Sequence, residues 1–497
     1  MSAISSIWVG RTAYQIVPDR FYRKGDNVNH INGRKLKEWN DRMPDWKPDM
    51  DGEYRNLYYY GGNLKGIEEK LPYLKDLGFN MVYITPIEQS LSYHHYDVGN
   101  QLAIDPWLGT WEDFASLCAT AKKLDILIVV DLVFNHVGTE SIYYKDPKYS
   151  SWLKKTQSGK QIFWWGFKDM AECNTCCKEY QDNMVMVAEN YVAHGANGIR
   201  FDLGENLSKD FLLAMQRIKE KYPDTILIGE MWGIATDRED SKIFDGQLDS
   251  VMNYPMADAI LRWTRFGFDG HFSYNFNRVY GEYPKAVQNV LLNNIGTHDT
   301  PTTITMLVGD KMNSDVFGKK IWDIEAPWLQ GEKFNTYKFR EYEAEHDRLT
   351  EEAYTYGKKL LKIALTVMYN IPGIPCVYQA TEVADSGYKD PFNRKPFPWE
   401  DQDEEMKDFV RRLGKYREDN IDILATGDAR IIRVSKEMLE LERVSQAGKL
   451  RMFVNRTGDV QYINGYDNIQ NANVVFKANN STMSELTPYG ILIVRGS

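Results

Sequence analysis

Short apolar runs alternate with amphipathic segments along most of the chain, and each run closes on a polar cluster. The runs are TAYQIVP (12–18), FNMVYITPI (79–87), ILIVVDLVF (126–134), GIRFD (198–202), ILIGE (226–230), GQLDSVMNY (246–254), VLLNNIG (290–296) and IPGIPCVYQ (371–379). Runs of Ile, Val and Leu bounded by turn residues suit strands buried on both faces, as in a parallel sheet. Between them, LKGIEEKLPYLKDLG (64–78), WEDFASLCATAKKLD (111–125) and the segments 180–194 and 208–222 carry a helical pattern. Strands with helices nearby, eight times over, predict an α/β fold, the (β/α)8 TIM barrel.

Residues 137–177 are irregular, rich in aromatics and too long for an ordinary strand-to-helix loop, so an inserted subdomain after the third strand is expected. After the helix-like 404–419 the pattern changes. ARIIRVSK, KLRMFVNRT, VQYINGY and GILIVRG, with turn signals between them, predict a C-terminal antiparallel β-sandwich. The expected boundaries are 1–136 and 178–420 for the barrel, 137–177 for the insertion and 421–497 for the β domain.

Several runs end on carboxylates. Asp202, Glu230 and Asp299 stand at the C-terminal ends of three predicted strands, which in a parallel barrel is where catalytic groups gather. Burying unpaired charge is costly, so a purely structural protein has no reason to collect acids there. Arg200, two residues before Asp202, shares its side of the strand by period-two alternation and would hold that acid ionised.

A net charge of −10 argues against nucleic acid or an anionic membrane as partner. No stretch reaches the length of a membrane span, and the N-terminus shows no basic segment followed by a long apolar one. A cytoplasmic protein with reduced thiols is therefore expected. Cys173, Cys176 and Cys177 cluster, but no second such group or suitably spaced His completes a zinc site. Thirteen Trp and 31 Tyr are a stock suited to stacking on flat apolar ligand faces, such as those of sugars. Trp164 and Trp165 in the insertion are candidates for such a platform or for a local core.

DLVFNH (131–136), GIRFD, GEMW (229–232) and THDT (297–300), in this order, resemble the four main signatures of the α-amylase family, glycoside hydrolase family 13. YQIVPDRF (14–21), YGGNLKGI (60–67), YHHYD (93–97), AIDPWLGTWEDF (103–114) and PGIP…DPFNRKPFPW (372–399) resemble its secondary ones. DMAECN (169–174) looks like the neopullulanase and cyclomaltodextrinase variant, though the N-terminal β domain usual in those enzymes is not expected here.

The resemblance implies a retaining enzyme that cleaves α-1,4-glucosidic bonds in maltooligosaccharides, cyclodextrins or starch fragments. Retaining hydrolysis needs one carboxylate as nucleophile and a second as acid/base, roughly 5 Å apart. Asp202 then takes the first role and Glu230 the second, with Leu227, Ile228, Met231 and Trp232 expected to give Glu230 an apolar setting. Asp299 matches the family's third catalytic acid, which grips sugar hydroxyls and favours the distorted ring; His298, His136 and Tyr96 match sugar-contacting positions at the cleavage subsite, His94 accompanies Tyr96, and Asp131 matches a structural acid. Asp390 and Arg394 match the non-reducing side of the cleft.

Some positions depart from the pattern: Thr302 stands where relatives carry Arg, and Gln379-Ala380-Thr381-Glu382 replaces Tyr-Gly-Asp-Glu. No cofactor is expected to be required. Calcium stays open, with Asn135 as the family's common ligand and Asp26, Asn29 and Asn63 as a second set. Also open are monomer against homodimer, and water against a sugar as acceptor, the latter making a 4-α-glucanotransferase. A non-catalytic binding subunit is a remoter alternative, since such relatives lose the acids retained here.

Overall fold

The structure is a computed structural model that describes residues 4–25, 34–47, 56–237, 243–309, 337–345, 347–463 and 472–496. Eight strands form one sheet: β1 (Ala13–Ile16), β2 (Met81–Ile84), β3 (Leu127–Leu132), β4 (Gly198–Phe201), β5 (Ile226–Gly229), β6 (Ser250–Val251), β7 (Leu292–Asn294) and β8 (Ile374–Tyr378). Their order is β6-β5-β4-β3-β2-β1-β8-β7, with neighbours parallel from β1 through β6 and from β7 to β8. Asn253, two residues past β6, donates its N–H to Leu292 O of β7 at 2.9 Å. All eight predicted runs supply strands. Ser250–Val251 is only a two-residue strand within the predicted 246–254.

Nearly every strand residue is buried, as continuous apolar runs require when helices cover one face and side chains fill the interior. Helix starts follow local chemistry. Asn63 Oδ1 accepts the Gly66 N–H at 2.8 Å to cap Leu64–Asp76, and a Thr110–Asp113 capping box opens Trp111–Lys123.

By internal packing the chain divides into two compact units. One comprises residues 1–8, 13–252 and 394–397, the other 9–12, 253–393 and 398–497. The first holds β1 to β6 and the insertion, where His136–Gly138 pairs antiparallel with Met170–Glu172 in the register His136↔Glu172. The second holds β7, β8 and the C-terminal strands β9 (Asp428–Val434), β10 (Met438–Ser445), β11 (Gly448–Asn455), β12 (Asn473–Ala478) and β13 (Ile491–Gly496). These form an antiparallel sheet ordered β9-β10-β11-β13-β12, beside a separate two-stranded pair of 461–462 with 485–486. Met438, Phe453, Ile463, Leu486, Leu492 and Val494 make its core. β10 was absent from the predicted list because LELERV mixes acids and aliphatics. Its acids face arginines: Glu442 bonds Arg430 at 2.7 Å and Arg451 at 2.8 Å. Among the described residues no helix is long and apolar enough to cross a membrane.

Candidate active site

Register builds the site in the first unit. Arg200 on β4 pairs with Asp131 on β3 and with Ile228 on β5, so these three share one rung of the parallel sheet. Two residues further along their strands, on the same side by alternation, come Asp202 and Glu230. Strand register thus sets the two acids side by side, with a cation one step beneath.

Arg200 is fully buried and its fork spans three acids. Nη1 donates to both Asp131 oxygens at 2.8 Å and to Asp202 Oδ1 at 3.2 Å, while Nη2 stands 3.0 Å from Glu230 Oε2. Burial opposes its charge, yet Asp131 and Glu230 hold its pKa well above the ordinary value. Asp131 is pushed up by its own burial. Arg200, the Tyr83 hydroxyl at 2.7 Å and the Tyr96 hydroxyl at 2.8 Å oppose that shift. Asp131 is therefore the anchor of the guanidinium.

Glu230 does not have the apolar setting expected for it. Leu203 N–H donates to Oε2 at 2.7 Å, the Trp232 indole to Oε1 at 2.9 Å, and Arg200 stands beside it. Trp232 gives it no apolar wall, because its ring presents the one polar atom it has. Leu203, the residue after Asp202, adopts a left-handed backbone (φ 47°) that turns its N–H toward Glu230. At the next position a Cβ on Gly204 would lie 2.9 Å from Glu230 N and from Gly229 Cα, so only glycine lets this loop press against the end of β5.

His136 Nε2 lies 3.1 Å from the Tyr96 carbonyl. A carbonyl only accepts, so Nε2 carries the proton and the buried Nδ1 is left as an acceptor. Burial pushes the His136 pKa down to about 4, which keeps the ring neutral near neutral pH. His94 Nδ1 accepts from Tyr96 N–H at 3.0 Å, and the two rings lie 6.0 Å apart at 31°. Tyr96 is therefore held at its hydroxyl by Asp131 and at its backbone by both histidines.

In the second unit, Asp299 follows β7 in a tight turn. Thr297 N–H donates to Thr300 Oγ1 at 3.0 Å, and Asp299 N–H to Thr297 Oγ1 at 3.2 Å. His298 is buried, with Nε2 3.3 Å from Asp299 Oδ2, and the Asp299 side chain is partly exposed. Asn393 Nδ2 donates to His298 O at 2.6 Å and to Thr300 O at 2.7 Å, tying the DPFNR segment to this turn. Of that segment, Asp390 is half-buried and Arg394 buried.

Sequence reasoning missed Tyr83, Leu203, Gly204 and Asn393 as supports. Tyr83 carried a signal, a hydroxyl inside an otherwise apolar run. The Leu203 N–H carried none, because a backbone donor has no letter.

Calcium takes six to eight oxygen ligands. The Asn135 main-chain carbonyl accepts from Cys173 N–H at 2.8 Å, and its amide Nδ2 is buried without an acceptor among the described residues. Asn63 spends its oxygen on the helix cap and its amide on Lys24 O at 2.9 Å. Asp26 and Asn29 lie outside the described residues. Among the described residues no three His, Cys, Asp or Glu gather as a metal site.

A barrel carrying paired carboxylates at the C-terminal ends of adjacent strands, joined by a buried arginine, has the form of a glycoside hydrolase domain. The chain belongs to the alpha-amylase family: residues 15–168 and 146–447 match the family described as alpha amylase, catalytic domain. It is similar to an amylopullulanase of Thermoanaerobacterium saccharolyticum, 28% identical over 88% of this chain but only 36% of that protein. Neopullulanase 2 of Thermoactinomyces vulgaris is 26% identical over 90% of this chain and 70% of its own length. In fold it is similar to the cyclic α-maltosyl-(1→6)-maltose hydrolase of Arthrobacter globiformis, with a TM-score of 0.76, 21% identity and coverage of 99% and 100% of the two chains.

Proposed function

We propose that the chain is a retaining glycosidase of α-glucans that cleaves α-1,4 bonds in maltooligosaccharides, cyclodextrins or starch fragments. The supporting observation is the Arg200 fork, which bridges the acids at the ends of β4 and β5. In the first step the Asp202 carboxylate attacks the anomeric carbon as Glu230 gives its proton to the leaving oxygen, forming a glycosyl ester. In the second, Glu230 takes a proton from water, the resulting hydroxide attacks the anomeric carbon, and Asp202 leaves as carboxylate. Arg200 fixes both acids and, being tied to Asp131, does not swing away with either. Tyr96 offers the cleaved sugar a ring face with His136 beside it, and Asp299 by its motif takes the part of the family's third acid.

A time course of products from maltoheptaose, separated by length and paired with a reducing-end assay, tests this. Shorter products with reducing ends rising in step support hydrolysis. Early products longer than seven sugars with flat reducing ends would replace water by a sugar acceptor, a 4-α-glucanotransferase. Activity surviving in Asp202→Asn would overturn the nucleophile assignment.

A further inference from the structure

The insertion carries a ring stack that begins at the site and ends in solvent. Trp164 lies parallel to His136, with centroids 5.4 Å apart and planes at 17°. Trp165 continues the stack on Trp164 at 5.0 Å and 10°. His136 is buried, whereas Trp165 is 78% exposed, the most exposed large hydrophobic side chain among the described residues. Leaving an indole in water forgoes the stabilisation that burial would bring.

The backbone adds a second cost. Trp165 sits at φ 49°, a left-handed conformation that bulky residues rarely adopt. The turn is nonetheless built to hold it: Phe163 bridges Ala171, Gly166 N–H donates to Phe163 O at 3.1 Å, and Phe167 N–H donates to Trp164 O at 2.9 Å. Trp164 Nε1 is buried with no acceptor among the described residues. A local core would turn Trp165 inward, and this turn does the opposite.

We infer that Trp165 is a sugar-binding platform, on which a glucosyl unit of the substrate other than the one cleaved stacks its apolar face. The occupant follows from continuity. The stack leads from His136, placed at the cleaved sugar by the proposed function on which this inference rests, so the same glucan chain is the ligand that reaches both. Trp164 transmits the position of one ring to the other.

The test compares wild type, Trp165→Ala and Trp165→Phe on maltoheptaose and maltotriose, and measures maltoheptaose binding by calorimetry in an Asp202→Asn background with and without Trp165→Ala. Expected are a KM for maltoheptaose raised about three- to tenfold in Trp165→Ala with kcat little changed, a smaller rise in Trp165→Phe, no change on maltotriose, and a matching loss of binding. Unchanged KM and binding at both lengths would overturn the platform. So would unchanged sugar binding together with a lower assembled mass by light scattering, which would give the indole to a second copy of the chain. A wild type that turns over no glucan would sink the proposed function, while the binding arm would still read the platform by itself.

Discussion

Arg200→Lys keeps the charge and removes the fork. The guanidinium holds Asp131 through two contacts of 2.8 Å, Asp202 at 3.2 Å and Glu230 at 3.0 Å. An ammonium is a single point with three donors. Drawn to Asp131, the most buried of the acids, it leaves Asp202 and Glu230 without their shared cation. Hydrogen bonds to charged groups contribute about 1.5–3 kcal/mol each, and breaking a buried ion pair costs about 3–5 kcal/mol. Glu230 keeps its Leu203 and Trp232 donors, so the expected loss of stability is roughly 3–4 kcal/mol rather than the sum. With Asp202 free to rotate and Glu230 without its cation, kcat should fall by about 10²–10³, the scale seen when one aimed group is removed from an active site. Reducing-sugar release from maltoheptaose gives the rate, and far-UV circular dichroism with a thermal melt gives the fold. A folded variant within about threefold of the wild-type kcat would refute the idea that one fork positions both acids.

Three further outcomes are expected. The folded pKa of His136 lies near 4, below the ordinary 6.5, so the unfolded chain binds this proton first and stability falls as pH drops through that window. Denaturation at pH 7.5 and 4.5 should show His136→Gln losing about 2–3 kcal/mol less than wild type, and equal losses would contradict the neutral ring. Asn393→Ala removes two short bonds to the turn before and after Asp299, and should destabilise by about 1–3 kcal/mol and lower kcat; a changed melt with intact kcat would mean that turn does not serve catalysis. Gly204→Ala forces a methyl against the Glu230 backbone and should cut kcat more than it raises KM, which steady-state kinetics reads directly.

The barrel was legible because parallel strands are apolar on both faces, and such runs stand out against helices of different period. The acids were legible because each closes a largely apolar run on a carboxylate. Asp131 and Arg200 show the limit. Their alternation was visible, but the pairing Arg200↔Asp131 depends on inter-strand register, which no single strand encodes. The setting of Glu230 was hidden for a related reason: the Arg200 cation beside it comes from the neighbouring strand, and the Leu203 N–H that bonds it from the turn after that strand. The β10 strand was lost where charge pairing across strands took the place of alternation.

Gly204 sets the spacing of the site in main-chain atoms. Because the turn after Asp202 rests on the backbone at Glu230, with no side chain between, the gap between the two acids has the tolerance of peptide geometry rather than of packing. Helices around the barrel can drift in sequence and repack without passing their slack to the reacting pair. For engineering, the consequence is a division of labour. Residues 202–204 and 229–230 form a fixed gauge, while the insertion with its tryptophan turn is free to be varied for substrate length.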